Sequence, residues 1–301
     1  MRPPSSSAAA APPMTNPPAL LAAAPPMRER IAALYLRDYA GSGHLDLNKV
    51  VDDFLSLRRF QEQRESLEAA AGGLTGKLLL EVGAGFGTFL AYARREGVRA
   101  VGVEIDEPMV ALARDLARGN GVTGCPLVVG AGETLPFRSG TFDVAFSNSV
   151  LEHVRDPGQV LRETIRVLRP GGRLHFIIPS YASFFESHYG ILWVPHLPRA
   201  LAPVYVRLWG RDPRCLAGIT FVTPRRLART LRDLPGIRVL GWGTDVFLRR
   251  MGKLDFSEWG HLGKVKAWLR PLQRVGLNHL AAWICVLCGW YNPIILTVEK
   301  I

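Results

Sequence analysis

Glu81-Val82-Gly83-Ala84-Gly85-Phe86-Gly87 is the stretch whose residue types and spacing best suit a bound group. Glycines alternating along a turn let the backbone fold tightly and approach a ligand closely, because no Cβ stands in the way. Glu104 follows Gly83 by 21 residues. An acid at that separation, at the end of the next strand, accepts hydrogen bonds from ribose hydroxyls. The pair describes a site for a nucleoside-bearing cofactor. A dinucleotide turn would carry its third glycine at position 88, but Thr88 stands there and the third glycine is Gly87. Taken alone, the glycines also read as a structural turn. A second grouping, Phe184 to Gly190, gathers Glu186, His188 and Tyr189. There an imidazole could take a proton from an acceptor while a carboxylate or phenol orients it. Its other reading is a loop anchor. Cys285 and Cys288 are spaced as a metal pair, but no second pair accompanies them. They read as core cysteines, and no metal site is expected.

The elements that must hold these residues follow from periodicity. Residues 28–70 have a helical pattern. From Leu78 the chain alternates: strands over Leu78–Val82, Ala100–Glu104, Pro126–Val129, Phe142–Phe146 and Arg173–Ile178. Helices run between them, from Thr88, Pro108 and Pro157. Such alternation implies parallel strands with helical crossovers, a doubly wound α/β sheet. The glycine turn then lies between a strand and a helix. Residues 181–223 have no clean strand. Pro224–Asp233 reads as a helix, Ile237–Gly243 as a strand, 245–291 as irregular to helical, and Ile294–Glu299 as a closing strand. Two long insertions, about 40 and 45 residues, are of the kind that form lids or substrate-binding elements.

Further motifs fall in order: Leu135-Pro136-Phe137, Thr141-Phe142-Asp143-Val144, Leu151-Glu152-His153-Val154 and Leu168-Arg169-Pro170-Gly171-Gly172. With the glycine turn and its preceding Glu81, they resemble the class I S-adenosylmethionine-dependent methyltransferases. The likeness is to the small-molecule, type 11-like branch, over about residues 77–180. The resemblance implies a mainly parallel, seven-stranded Rossmann-like sheet with a helical N-terminal cap and two C-terminal insertions. It implies S-adenosylmethionine held by Glu81, Gly83, Ala84, Gly85 and Gly87, with Glu104 on the ribose and Ile105 on the adenine. Ala131, Gly132 and Glu133 would lie by the adenine edge, and Ser147 and Asn148 would line the cofactor. Many relatives have Asp where this chain has Ala131, which cannot accept from the adenine amino group. His188, His153 and Tyr189 are the candidate catalytic residues. His153 is either an acceptor-orienting base or part of the helix-start turn beside the cofactor.

The 301 residues are 48% hydrophobic and 21% charged, which excludes global disorder and fibrous repeats. The expected divisions are a Pro/Ala-rich disordered tail over 1–27, the cap over 28–76, the cofactor core over 77–180, and sheet plus acceptor insertions over 181–301. Met14 and Met27 each precede plausible starts. The tail offers no apolar run long enough for a signal peptide. The most apolar stretch, Leu280–Tyr291, is shorter than the ~18–20 residues of a membrane span and reads first as a buried helix, second as an interfacial one. Four cysteines suit a reducing, cytoplasmic location. The net charge of +11 is concentrated in residues 181–301, which hold 17 basic and 7 acidic residues. That excess reads as a solvated arginine face, as contact with a lipid-linked acceptor at the inner membrane face, or as a nucleic-acid surface. No appended RNA-binding module supports the last. The expected reaction is methyl transfer to a small or lipid-linked acceptor, at oxygen. The rivals are an RNA methyltransferase and a non-catalytic cofactor-binding protein.

Overall fold

The computed structural model describes residues 20–39, 46–254 and 270–301. Three helices come first: α1 (Pro25–Tyr39), α2 (Leu47–Phe54) and α3 (Leu57–Ala71). Strands β1 (Leu78–Val82), β2 (Arg99–Glu104), β3 (Leu127–Val129), β4 (Phe142–Asn148) and β5 (Leu168–Ile178) then alternate with α4 (Thr88–Arg95), α5 (Glu107–Gly119) and α6 (Pro157–Val167). A hairpin of β6 (Phe185–Glu186) and β7 (Ile191–Leu192) follows, then α7 (Ala202–Leu208), α8 (Pro224–Arg232), β8 (Ile237–Gly241), α9 (Thr244–Lys253), α10 (Leu277–Cys288) and β9 (Ile294–Lys300).

The main sheet has the order β3-β2-β1-β4-β5-β9-β8. β1 to β5 pair in parallel, and β9 runs antiparallel to both β5 and β8. This is the expected seven-stranded, mainly parallel α/β sheet. Successive side chains of β1 enter opposite layers, as strand geometry requires. Leu79 packs with α1 to α5, and Leu80 packs with α6, α8, α9 and α10. The chain winds one way from β1 to β3 and the other way from β4 to β5. The crevice between β1 and β4, at their carboxyl ends, is therefore the switch point where open α/β sheets bind ligands. Side-chain caps fix the starts of α5 and α6. Asp106 accepts from the Met109 amide at 2.9 Å, and Asp156 from the Gln159 amide at 3.0 Å.

Several expectations need correction. The tail expected over 1–27 ends earlier: Leu21 is buried, its amide donates to the Leu55 carbonyl at 3.0 Å, and α1 starts at Pro25. Residues 1–19 lie outside the described residues. β5 begins at Leu168, not Arg173. Phe142 pairs with Leu168 and Val144 with Arg173, so the residues between form an irregularity, with Gly171 at φ 74°. Residues 181–223 do contain strands, the two-residue pair β6 and β7. The apolar C-terminal helix is not buried. α10 buries Asn278 and Ala282 but exposes Leu280, Trp283, Ile284 and Leu287. Cys285 and Cys288 on it are free and half-buried rather than enclosed in the core.

Candidate active site

β1 delivers the glycine turn to the switch point. Gly83, Gly85 and Gly87 all have positive φ, at 73°, 53° and 67°. A Cβ on Gly83 would lie 2.4 Å from Val150 Cγ2, so only glycine lets the two loops meet. Gly87 serves a different purpose from the one expected. Its Cβ position lies 2.7 Å from Ala113 Cβ of α5, and the residue is not on the cavity wall. It packs α4 against α5.

Glu104 ends β2 with its carboxylate held by two backbone amides. Gly85 N donates to Oε2 at 2.8 Å, and Asp106 N donates to Oε1 at 3.0 Å. Each carboxylate oxygen keeps acceptor capacity, so the group can take two neighbouring hydroxyls. Glu81 is buried, and its Oε2 has no hydrogen-bond partner. Burial, and then the charge of Glu104, push its carboxyl well above the usual carboxylate range. An unsatisfied, desolvated acid at this point is suited to an incoming cationic group. Ile105 is 68% exposed at the lip, a flat apolar surface for a ring. Ala131, Gly132, Glu133 and Asn148 line the same wall. Glu133 is fixed there by the Arg155 amide at 3.1 Å. Ser147 is not on that wall. Its hydroxyl donates to the Val82 carbonyl at 2.8 Å, inside the sheet. The remaining residues fit the expected cofactor: an acid for its ammonium, a carboxylate for its ribose and an open backbone between them.

The cavity continues past this site to about 1290 Å³. At its far end stand Glu152 and His153, from the turn after β4, with His188 from the β6–β7 turn. His188 Nδ1 lies 2.6 Å from Glu186 Oε1, which also accepts from the Tyr181 hydroxyl at 2.9 Å. The other Glu186 oxygen accepts from the Tyr189 amide at 2.7 Å. Burial raises the Glu186 carboxyl, but the His188 charge and these hydrogen bonds outweigh it and leave it below its ordinary range. Burial likewise lowers the His188 imidazole, and the Glu186 charge and hydrogen bond more than reverse it. His153 is pushed down to about 4 by burial, with the neighbouring His188 adding to it. Glu152 is fully buried, and burial raises its carboxyl to about 7. The rings of His153 and His188 meet edge to face at 5.3 Å.

Tyr189 is not brought to the cavity. It is 1% exposed in the apolar cluster of Tyr181, Ile191, Trp193 and Val206. The sequence reading expects a helix here but does not bring α1 to the site. Tyr39 places its hydroxyl 3.2 Å from His153 Nε2 and stacks on His188 at 5.8 Å. Arg37 bridges to Asp106 at 2.7 Å and straps α1 across the cofactor cleft. The only signal was aromatic spacing: Tyr35 and Tyr39, four residues apart, share one helix face.

Residues 80–176 match the family described as a methyltransferase domain. An uncharacterized methyltransferase of Mycobacterium sp. (strain JLS) is 42% identical over 97 residues, covering 32% of this chain and 36% of that protein. The ubiquinone biosynthesis O-methyltransferase of Sodalis glossinidius is 34% identical over 106 residues, covering 35% of this chain and 43% of that protein. The chain thus spans about a third to two-fifths of these relatives. Among solved structures, the geranyl diphosphate C-methyltransferase of Streptomyces coelicolor has a TM-score of 0.52 at 15% identity, covering 92% of this chain and 99% of that one. The [4+2]-cyclase SpnF has a TM-score of 0.50 at 20% identity, covering 82% and 83%. Both likenesses are of fold.

Proposed function

We propose that this chain, whose residues 80–176 form a class I S-adenosylmethionine-dependent methyltransferase domain, is an enzyme that moves a methyl group from that cofactor to an oxygen of a small acceptor. One observation carries the reading. A single cavity is lined at one end by Glu81, Gly83, Gly85 and Glu104, and at the other by Glu152, His153 and His188. Fold likeness alone would not carry it, since a cyclase shares the fold.

S-adenosylmethionine supplies a methyl group already activated on a sulfonium. The protein's work is alignment, water exclusion and handling the acceptor's proton. In this reading Glu81 meets the cofactor's ammonium, Glu104 its ribose hydroxyls and Ile105 the adenine face. The acceptor's hydroxyl lies against the Glu152–His153–His188 cluster, which promotes loss of its proton. His188 contributes most, because Glu186 fixes its ring. α1 excludes water above the site.

The acceptor is lipid-linked in this proposal, and the protein meets it at a membrane surface. α10 carries no charged residue and exposes Leu277, Leu280, Trp283, Ile284 and Leu287 along one face, a pattern suited to a lipid interface. Among the described residues no helix is long and apolar enough to cross a membrane. Methyl-labelled S-adenosylmethionine, incubated with the protein and separate aqueous, lipid and RNA extracts, tests the function. Label is expected in an alkali-stable ether of the lipid fraction. Label in RNA, or in nothing despite bound cofactor, contradicts the proposal.

A further inference from the structure

Glu152, His153 and His188 each offer a donor atom, and the three atoms all lie within 4.8 Å of one another. Glu152 has a side chain at 0% exposure, and neither carboxylate oxygen has a hydrogen-bond partner. A buried carboxylate left this way is costly unless something positive completes it. The nearest cationic candidate, His153, reaches only 3.8 Å from Glu152 Oε1, beyond hydrogen-bonding distance. Behind the cluster stands a second buried carboxylate, Glu186, 2.6 Å from His188 Nδ1. That contact leaves His188 Nε2 for another partner. A carboxylate behind an imidazole is the usual support of a metal-ligating histidine, because it fixes the tautomer and raises the basicity of the free nitrogen. Two buried carboxylates beside two imidazoles also form a pocket whose charge a divalent ion balances.

We propose that Glu152, His153 and His188 bind one divalent first-row transition ion, with a position left open toward the cavity for the acceptor's oxygen. This site deepens the acceptor reading above and rests on it. Two imidazole nitrogens and one carboxylate suit zinc, iron(II), cobalt or manganese, whereas magnesium and calcium prefer oxygen donors throughout. Three protein ligands and an open position make a catalytic rather than a structural arrangement. An acceptor hydroxyl on the ion loses its proton to water. Its oxygen then forms the O–CH3 bond as the S–CH3 bond breaks and the electron pair returns to sulfur. Sequence spacing could not disclose the site, because His188 stands 35 residues beyond His153 and on another element. The Tyr39 hydroxyl, 3.2 Å from His153 Nε2, competes with the ion for that nitrogen.

The test is titration of metal-stripped, full-length protein with Co2+, followed by visible absorption and by calorimetry. The expected result is one Co2+ per chain, with the absorption of a four- or five-coordinate site, displaced by Zn2+. Glu152→Gln and His188→Ala should each abolish this uptake. Glu186→Gln should weaken it roughly 10–100-fold. Tyr39→Phe should not weaken it. His279→Ala, on an exposed histidine of α10, should leave it unchanged. Absence of stoichiometric uptake in the wild type, or uptake that survives Glu152→Gln and His188→Ala, overturns the site. S-adenosylmethionine titrated into the same samples separates the two ideas. Cofactor binding without Co2+ uptake removes the ion and leaves methyl transfer standing. Co2+ uptake without cofactor binding does the reverse.

Discussion

At one end of the cavity the turn and the carboxylate come from one continuous stretch, Glu81 to Phe86, and from Glu104 on the adjacent strand, with Ile105, Ala131 to Glu133 and Asn148 completing the wall. At the other end they come from α1, the turn after β4 and the β6–β7 hairpin, segments far apart in the chain. The first end is built of backbone: two positive-φ glycines, Gly83 and Gly85, and a carboxylate gripped by two amides. The second is built of side chains that hold one another, Tyr39 on His153 and Glu186 on His188. A backbone-built site tolerates little change and serves one cofactor. A side-chain-built site can be altered residue by residue, so acceptor chemistry can vary over a fixed cofactor.

Substitutions should separate the two ends, and the largest effect is expected at Gly83. Gly83→Ala places a Cβ 2.4 Å from Val150 at φ 73°. Overpacking and backbone strain together cost about 2–5 kcal/mol. Calorimetry should show no saturable binding of S-adenosylmethionine, with the sheet retained by circular dichroism; wild-type affinity would remove the close-approach account. His188→Ala should lower turnover by roughly 10²–10⁴ with cofactor affinity unchanged. An equal loss in both would mean that the two ends are not separate. Glu104→Ala should weaken cofactor binding by roughly 10–100-fold, the worth of hydrogen bonds to a charged acceptor. Undiminished affinity would deny the ribose contact.

A smaller effect concerns protons at Glu81. Burial raises its carboxyl in the free protein, and the cofactor's ammonium favours the ionised form. Binding should therefore release protons at pH values below the raised pKa, and affinity should rise with pH until it passes that pKa. Apparent binding enthalpies that do not vary with buffer ionisation enthalpy would contradict this. The smallest effects should fall on residues that the cavity excludes. Ser147→Ala and Tyr189→Phe should each leave cofactor affinity and turnover near wild type; a large loss of turnover in Tyr189→Phe would return that phenol to the acceptor site.

The cofactor end was legible because its signal is local: strand, glycine turn, helix and an acid on the next strand all lie within 27 residues, from Leu78 to Glu104. Where that reading went wrong, tertiary packing had decided. Gly87 meets Ala113, and the Ser147 hydroxyl turns inward to Val82. The acceptor end was legible only as residue types. Two-residue strands have no period to detect, so the turn that aims His188 inward and Tyr189 away was hidden. Tyr39 was missed because nothing local ties α1 to a site 114 residues away. α10 was misread because an apolar composition reports how much hydrophobic surface a helix has, not whether a neighbour covers it. If its exposed face meets lipid, the protein should float with anionic vesicles and Trp283→Glu should release it; flotation unaffected by that change would leave the face without this role.

The most direct measurement is calorimetric titration of the purified protein with S-adenosylmethionine and, separately, with NADH. Saturable one-to-one binding of S-adenosylmethionine alone, weakened in Glu104→Ala, is the predicted result. Binding of NADH instead, or of neither, would contradict the assignment of Glu81, the glycine turn and Glu104 to a methyl donor.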